Sequence, residues 1–320
     1  MPNIHAPRRG SLQFWPRKRS KRAYARIRSW SNIDGINLLA FIGYKAGMTH
    51  IIAKDNSPNT MFKNDLLSIP VTVIECPPLK PLSLRFYKKS HDGLVLTSEI
   101  FSKNIDKELK RRVNISKKLK EEPKDFDEVK LVVYTQPKLI GIGKKKPEIL
   151  EISISGKSNQ EKLTFAKTLL NKEIRLDEVL KNSSFLDVHS ITKGKGFQGT
   201  VKRFGVAIRQ HKSEKTKRGI GTLGSWTPKK VLFSVPHAGK MGYHQRTEYN
   251  KQNLLIGSDP KEINPKSGFL HYGLIKNSYI VVKGSIPGPT KRTIILTPAI
   301  RQKQQPVQYQ IKLINLDSKQ

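Results

Sequence analysis

The chain has 320 residues, of which 60 are Lys or Arg and 25 are Asp or Glu, so its formal net charge is +35. A compact protein with this excess repels itself and carries more charge than solubility requires, which indicates a polyanionic partner. No apolar run approaches the roughly 20 residues that span a bilayer, and residues 1–5 lack the apolar stretch of a secretion signal. The single Cys76 excludes an internal disulfide and a cysteine-only zinc site. We therefore expect nucleic acid as the partner, no membrane, and a reducing cytoplasm.

Residues 1–35 are predicted to form an extended basic arm. Its Pro and Gly residues oppose a helix, and residues 1–33 hold nine Lys or Arg and no acid. Such an arm is expected to be disordered alone and to order on RNA. Trp15 and Trp30 either stack on unpaired bases or anchor the arm to the protein core, and the sequence leaves both open. The candidate RNA-binding residues of the arm are Arg8, Arg9, Trp15, Arg17, Lys18, Arg19, Lys21 and Arg22.

Residues 36–80 are predicted to be strands. Short apolar runs at 36–42, 49–53 and 71–75 are bounded by Gly, Pro and Asn, which is typical of strands. Cys76 follows the third run and is interpreted as a small core residue.

Residues 81–185 change in character and are predicted to be an inserted α+β unit. They hold 23 basic and 15 acidic residues, which is the balance of an ordinary protein surface. One helix is predicted from the apolar spacing of Ile105, Leu109 and Val113, and a second from that of Leu163, Ala166 and Leu170. A further apolar segment lies at 176–180, and strands are predicted at 129–135 and 149–154.

From residue 186 to residue 300 the chain returns to predicted strands, at 186–191, 200–206, 279–283 and 293–296. Residues 207–245 interrupt them with a long Gly- and Lys-rich segment, which we call the basic loop. A segment this long and irregular is normally functional or disordered. Residues 301–320 form a tail in which alternating apolar residues at 307–313 predict a terminal strand.

Residues 194–199, Gly-Lys-Gly-Phe-Gln-Gly, match the glycine pattern of dinucleotide-binding folds. Such a fold needs a helix directly after the glycines and an acidic residue about 20 positions later. Here β-branched and basic residues follow at 200–205, and then lysines. We therefore interpret the glycines as a tight turn or as a close approach of backbone to phosphate. The candidate RNA-binding residues of this stretch are Lys193, Lys195, Lys202 and Arg203.

The histidines of the second half do not indicate a metal site. His237 and His244 have His189 and His211 nearby but no cysteine, and their cationic neighbours disfavour a bound metal ion. A structural hydrogen bond or a contact with RNA is the better interpretation. The candidate RNA-binding residues here are His237, Lys240, His244 and Arg246.

Carboxylates are scarce in the basic second half. Asp187, Glu214 and Glu248 are the only acids within residues 186–250, so a general acid–base site is poorly supplied. The sequence therefore predicts no enzyme, no metal and no cofactor.

Trp226 stands in the basic loop, where nothing local would bury it. An exposed indole presents a large apolar surface and is costly unless it has a binding partner. We therefore favour a contact with RNA over a core anchor. The other candidate RNA-binding residues of the loop are Lys212, Lys215, Lys217, Arg218, Lys229 and Lys230.

Six stretches, in the expected order, resemble the universal L-three family of large-subunit ribosomal proteins in its archaeal and eukaryotic form. They are APRRGSLQFWPRKR (6–19), GYKAGMTH (43–50), TKGKGFQGTVKRFG (192–205), GTLGSWTPKKV (221–231), GYHQRTEYNK (242–251) and KGSIPGP (283–289). Together they are highly specific, whereas residues 81–185 match mainly in length and general pattern.

The resemblance implies a β-rich α+β fold. Residues 36–80 and 186–300 would form a closed β-barrel of the translation-protein type, interrupted by the α+β unit, with long basic extensions into RNA. One extension would be the arm and the other the basic loop, with Trp226 at its tip near the peptidyl-transferase centre. Glu214 departs from the pattern, which leaves the contacts of its surroundings undefined.

The resemblance also implies a function. The chain would be a structural constituent of the large ribosomal subunit in the cytoplasm, would bind large-subunit rRNA and would help assemble the subunit. Its partners would be this rRNA and neighbouring large-subunit proteins, with no small-molecule substrate. Two alternatives remain: an RNA-modifying enzyme, which needs a cofactor site or clustered carboxylates, and a DNA-compacting protein, which also binds duplex DNA.

Overall fold

The computed structural model describes residues 7–57, 60–114, 122–123, 125–182, 184–213, 215–302 and 306–317. The chain divides into two compact units. We call Met1–Ala23 with Ile191–Gln245 the arm–loop unit, and Tyr24–Ser190 with Arg246–Gln320 the sheet unit. The division after residue 23 falls inside the predicted arm, and Trp30 packs against the core of the sheet unit, which is the anchoring alternative for this residue.

Strands are the main element of the described residues. They are β1 (Phe41–Asp55), β2 (Leu66–Glu75), β3 (Lys80–Ser90), β4 (Gly93–Phe101), β5 (Glu128–Tyr134), β6 (Ile149–Ser153), β7 (Phe185–Ile191), β8 (Phe197–Gln198), β9 (Gly239–Lys240), β10 (Gln245–Gly257), β11 (Tyr279–Lys283), β12 (Thr293–Pro298) and β13 (Tyr309–Ile314). The α-helices are α1 (Asn159–Leu169), α2 (Leu176–Val179) and α3 (Thr200–Phe204), and 3₁₀ helices lie at Lys107–Arg111, Pro137–Leu139 and Pro260–Glu262. None of the described helices is long and apolar enough to cross a membrane.

The sheet unit contains a seven-stranded sheet in the order β12-β7-β10-β11-β2-β1-β13. β12 pairs with β1 as well as with β7, and Phe41 lies opposite Leu296 in the additional pairing. β-Branched and aromatic side chains fill the interior, because they fit a pleated and half-buried surface. Gly43 allows β1 to lie close to β2, since a Cβ at this position would lie 2.6 Å from Cγ2 of Ile74. Cys76 is buried in the same core, as predicted, and its burial raises the pKa of the thiol.

Two of the sequence motifs meet in the sheet unit. The ammonium group of Lys45, in β1, donates hydrogen bonds to the carbonyl oxygens of Ile286 at 2.7 Å and Gly288 at 3.0 Å. Burial lowers the pKa of Lys45, and the charge of Glu248 partly offsets this effect. Lys45 therefore ties the stretch 43–50 to the stretch 283–289 from inside the protein.

A four-stranded antiparallel sheet in the order β4-β3-β5-β6 occupies the predicted insert. Helix α1 follows it, with Ser158 capping its first turn and Ala166 buried in the core. The helix predicted at residues 105–113 is only the 3₁₀ turn Lys107–Arg111. Leu109 is buried but Val113 is 37% exposed, so no apolar stripe holds a longer helix.

Most of the strand predictions are confirmed. The runs at 71–75, 129–135, 149–154, 186–191, 279–283 and 293–296 lie in strands, as does most of the alternating segment of the tail. The runs at 36–42 and 49–53 are not two strands, because β1 starts at Phe41 and continues without a break to Asp55. Strands β3, β4 and β10 were not predicted, since charged and polar residues interrupt their apolar pattern.

The strand predicted at 200–206 is wrong. Thr200–Phe204 form the short helix α3, which ends at Gly205, where φ is +67° and the N–H donates to the Val201 carbonyl at 2.9 Å. The four-residue spacing places Thr200 and Phe204 on one face of the helix, and both are buried. This burial outweighs the β preference of the local sequence.

Candidate nucleic-acid interface

The two units differ in how their charges are balanced. The arm–loop unit holds 19 Lys and Arg in its sequence, and Glu214 is its only acid. All ion pairs found among the described residues lie in the sheet unit, for example those of Arg85 with Glu99 at 3.0 Å and with Glu151 at 3.2 Å. Glu214 itself lies outside the described residues. The arm–loop unit therefore carries a large excess of positive charge, which attracts an external anion.

Most of the predicted RNA-binding residues are exposed. The exceptions are Trp15, Arg17, Arg203 and Arg246, which are half-buried, and His244, which is buried. The exposed ones are Arg8, Arg9, Lys18, Arg19, Lys21, Arg22, Lys193, Lys195, Lys202, Lys212, Lys215, Lys217, Arg218, Trp226, Lys229, Lys230, His237 and Lys240. Of all the predicted RNA-binding residues, exposed or not, only Arg246 belongs to the sheet unit, and the others belong to the arm–loop unit.

An aromatic cluster forms the centre of the arm–loop unit. The Trp15 ring stacks on Phe204, with 5.4 Å between the ring centres and 17° between the planes. Phe233 meets Trp15 edge to face at 6.1 Å. Gly10, whose φ is +80°, brings its backbone so close to Phe204 that a Cβ would lie 2.6 Å from Cδ1 of the ring. Trp15 thus anchors its own segment of the arm to the second half of the chain, which is one of the two alternatives that the sequence left open.

Two guanidinium groups strengthen this cluster. The Cζ atom of Arg17 lies 4.1 Å from the centre of the Phe204 ring, and its Nη1 donates to the Arg203 carbonyl at 2.7 Å. Arg203 in turn donates to the carbonyl oxygens of His237 at 2.8 Å and Lys240 at 3.1 Å. Burial lowers the pKa of Arg17, and burial together with the charge of Arg17 lowers the pKa of Arg203. Both side chains therefore use part of their hydrogen-bonding capacity within the protein.

Further contacts hold residues 8–20 along the second half of the chain. Arg8 donates to the Ser234 carbonyl at 2.8 Å, and the Ser20 N–H donates to the Tyr243 carbonyl at 2.8 Å. Nδ1 of His244 lies 2.8 Å from the Lys18 carbonyl, so Nδ1 carries the proton, because a carbonyl only accepts. His244 is 8% exposed and serves as a structural hydrogen-bonding group.

The glycine-rich stretch packs against another part of its own unit. β8 pairs with β9. The Lys195 N–H donates to the Met241 carbonyl at 2.9 Å, and the Met241 N–H donates to the Gly196 carbonyl at 2.9 Å. A Cβ at Gly242 would lie 2.1 Å from the Lys193 carbonyl oxygen. The glycines thus serve a tight turn with close backbone approach, and α3, with only five residues, does not supply the helix of a dinucleotide site.

The middle of the basic loop is closed by hydrogen bonds to backbone carbonyl groups. The Arg209 N–H donates to the Lys217 carbonyl at 3.0 Å, and the Arg209 guanidinium donates to the Ile220 carbonyl at 2.7 Å. Thr200 donates to the Arg218 carbonyl at 3.3 Å. These bonds use carbonyl oxygens and leave the side chains of Lys217 and Arg218 exposed.

Trp226 occupies the first position of a tight turn. The Lys229 N–H donates to the Trp226 carbonyl at 2.9 Å, and the Thr227–Pro228 peptide bond between them is cis. Ser225 Oγ donates to the Thr227 carbonyl at 2.5 Å. The indole is 84% exposed, and the Lys229 ammonium lies 5.9 Å from its ring. The turn therefore presents a flat aromatic surface beside a cation, the combination that stacks on bases and neutralises phosphate.

Several residues of the arm–loop unit were missed by sequence reasoning. Phe204, Phe233 and Gly10 complete the aromatic cluster, but no local periodicity marks them, because their partners lie in the opposite half of the chain. Tyr243, whose ring lies 5.8 Å from the Arg19 guanidinium, had no signal beyond its place in a motif.

The sequence is similar to known proteins along its whole length. The profile of the family described as Ribosomal protein L3 matches residues 1–127 and 113–320. The large ribosomal subunit protein uL3 of Methanocaldococcus jannaschii is 44% identical, over 99% of this chain and 98% of the relative. The protein of the same name from Archaeoglobus fulgidus is 46% identical, over 93% of this chain and 92% of the relative. The one from Methanothermobacter thermautotrophicus is 41% identical, over 100% of this chain and 99% of the relative.

Proposed function

Because this chain belongs to the ribosomal protein L3 family, we propose that its arm–loop unit is the part that enters folded RNA of the large ribosomal subunit. The family consists of structural proteins of the large subunit, so the chain is a ribosomal protein that works in translation and is not an enzyme. Its partners are ribosomal RNA and neighbouring ribosomal proteins, in the cytoplasm. The observation that carries the proposal is the set of 19 cations accompanied by a single acid.

Phosphate neutralisation is the proposed source of affinity. Exposed lysines and arginines displace counterions from the RNA, so affinity falls steeply with salt. Most contacts go to the RNA backbone and its shape, which position the protein without reading a sequence. The half-buried Trp15, Arg17 and Arg203 and the buried His244 support this surface from within, because their polar atoms or rings already contact protein.

The tip of the basic loop is proposed to reach toward the peptidyl-transferase centre. What supports this is the 84% exposed indole of Trp226, held on a hydrogen-bonded turn and followed by the exposed Lys229 and Lys230. An indole held in this way loses little freedom on stacking, which favours binding to an unpaired base.

The seven-stranded sheet is proposed to provide the rigid base. Strands β1, β2, β11, β10, β7 and β12 follow one another as paired neighbours, and the β12–β1 pairing joins the first to the last. We propose that these strands close into the barrel of the translation-protein type at residues 36–80 and 186–300, and that residues 81–185 are inserted into it. A closed sheet has few unpaired edges, so it would form a stable core of the sheet unit.

Charge reversal in matched lysine pairs tests the RNA interface. The test variant combines Lys229→Glu with Lys230→Glu at the loop tip. The control variant combines Lys145→Glu with Lys146→Glu, two exposed lysines that are neighbours in the sequence of the sheet unit. We expect the loop variant to bind large-subunit rRNA more weakly and to lower the slope of log K against log salt by about 1 to 2, since each phosphate contact contributes about 0.9. Filter binding over a salt series measures both. Equal losses in the two variants would place the interface elsewhere.

A further inference from the structure

Strand β4 forms an open and apolar edge of the four-stranded sheet. It is the end strand in the order β4-β3-β5-β6, and among the described residues it pairs with β3 alone. Leu94, Val95 and Leu96 are 42%, 52% and 44% exposed. Successive residues of a strand point to opposite faces, so three consecutive exposed residues mean that both faces are open at this end of the strand.

The opposite edge of the same sheet is covered by the chain itself. Leu38 bridges Ile154 just beyond β6. The Leu39 N–H donates to the Ser153 carbonyl at 3.1 Å, and the Ser155 N–H donates to the Asn37 carbonyl at 2.9 Å. One edge of the sheet therefore has an added backbone segment, and the β4 edge is exposed at 93–97.

The open end of β4 carries neither charge nor proline, which are two of the usual protections of an edge strand. Native proteins guard exposed edges with Lys, Pro, bulges or covering segments, because an apolar edge is a template for another strand. Residues 93–97, Gly-Leu-Val-Leu-Thr, contain no charge and no proline. The register of this hairpin shifts at Thr97 of β4, which has no partner in β3, so the regular apolar edge consists of the residues before Thr97.

Charge distinguishes this surface from the arm–loop unit. Several cations of the four-stranded sheet and its surroundings are paired with carboxylates, as in Lys80 with Asp106 at 3.1 Å and Lys130 with Glu128 at 3.7 Å. A surface neutralised in this way attracts phosphate weakly. Lys88 and Lys89 are exposed on β3 opposite Val95 and Leu94, where they suit a carboxylate on an apolar segment. The paired charges and the apolar residues of this surface therefore favour a polypeptide partner over RNA.

We propose that the outer edge of β4 at residues 93–97 accepts an extended segment of another large-subunit protein, which pairs with it as an additional strand. Backbone hydrogen bonds provide the affinity, and apolar side chains of the segment cover Leu94 and Leu96 on one face and Val95 on the other. The proposal depends on family membership but not on the RNA role of the arm–loop unit.

A photo-crosslinker at Val95 tests the proposal in the full chain within purified large subunits. We expect one crosslink to an extended, apolar peptide of a single neighbouring protein, and none at the matched position Lys172, which is exposed in the same insert. Hydrogen exchange gives the second measurement. Outward amides within 94–97 should exchange roughly tenfold or more slowly in the subunit than in the free chain.

Each outcome of these measurements decides the proposal. A crosslink to rRNA or within the chain itself overturns it, and so does a protein crosslink without amide protection, because side-chain contact alone is not strand addition. A Leu96→Lys variant should lower the occupancy of the neighbouring protein in isolated subunits. Unchanged occupancy in that variant, with the free chain folded by circular dichroism, also counts against the proposal. The salt dependence of rRNA binding stays normal in this variant, which separates the test from that of the loop lysines.

Discussion

Arg17 lies over the Phe204 ring, with 4.1 Å between its guanidinium carbon and the ring centre. One residue comes from the start of the chain and the other from its second half, and Trp15 stacks on the same ring. Phe233 of the basic loop meets Trp15 edge to face, so the arm and the basic loop share one small core. This arrangement makes the exposed cations of both segments parts of a single surface, whose geometry depends on a few buried contacts.

The first prediction concerns this core. Phe204→Ala removes the ring that Trp15 and Arg17 contact, and truncation of a buried Phe costs about 3 to 5 kcal/mol. We expect the arm to detach, so that trypsin cleaves the arginines and lysines of residues 8–22 faster in the free protein. Phe62→Ala, at a residue that is 56% exposed in the sheet unit, is the matched control and should leave cleavage unchanged. Unaltered cleavage in the Phe204 variant contradicts the shared core.

The second prediction concerns the arm in assembly. Deletion of residues 1–23 removes seven basic side chains and Trp15 while sparing Tyr24 and Ala25, which are buried in the sheet unit. We expect the shortened protein to enter large subunits poorly when it competes with the full chain in cells. Quantitative mass spectrometry of purified subunits measures the ratio. Full incorporation of the shortened protein would refute a role of the arm in assembly.

The third prediction concerns the tip of the basic loop. Trp226→Ala removes an exposed indole and leaves the buried contacts of the unit intact, so subunits should assemble normally. We expect altered tRNA accommodation or altered sensitivity to drugs that bind the peptidyl-transferase centre. Trp226→Phe keeps an aromatic surface and should behave closer to the unchanged protein. Normal translation together with a normal drug response in the alanine variant rules out a role of the tip.

The fourth prediction concerns pH. Nδ1 of His189 lies 2.9 Å from Thr247 Oγ1, and Nε2 lies 3.0 Å from Thr297 Oγ1. Burial lowers the pKa of His189 below 6.5, and the charge of Asp187 partly offsets this. The unfolded chain therefore takes up the proton first, so this contribution to stability is complete above about pH 6.5 and is lost as the pH falls toward the lowered pKa of the folded state.

His189→Gln provides the measurement for this effect. The variant retains hydrogen-bonding capacity but does not titrate, so the decline in the free energy of unfolding below about pH 6.5 should become shallower. Urea titrations of both proteins at a series of pH values compare the slopes. Identical slopes would mean that other groups cause the pH dependence. His50→Gln, at a half-buried histidine of β1, is a control for loss of an imidazole.

Local sequence predicted those elements whose burial follows a simple pattern. The run at 129–135 is apolar and β-branched, and it forms β5 between two paired neighbours. Residues 200–204 are β-prone as well, yet they form α3, because the position of Phe204 is set by contacts with Trp15 and Arg17. A residue whose partner is distant in sequence leaves no local signal of this kind.

The candidate interface, too, was only partly predictable from the sequence. Composition and charge identified the basic segments, because charge is a property of the residues themselves, and the basic, irregular surroundings of Trp226 correctly predicted that it is exposed. They did not separate the surface cations from Arg17, Arg203 and His244, whose polar atoms bind carbonyl groups of the same unit. That separation depends on which segments of the chain meet in the folded unit.

The shared core of the arm–loop unit also sets an order of events during synthesis. Trp15 is among the first residues made, whereas Phe233, which completes its aromatic contacts, is made after more than two thirds of the chain. At about 5 to 20 residues per second, the arm waits on the order of 10 to 40 seconds for this partner. Trp15 thus completes its aromatic contacts only after β1 to β7 have been translated.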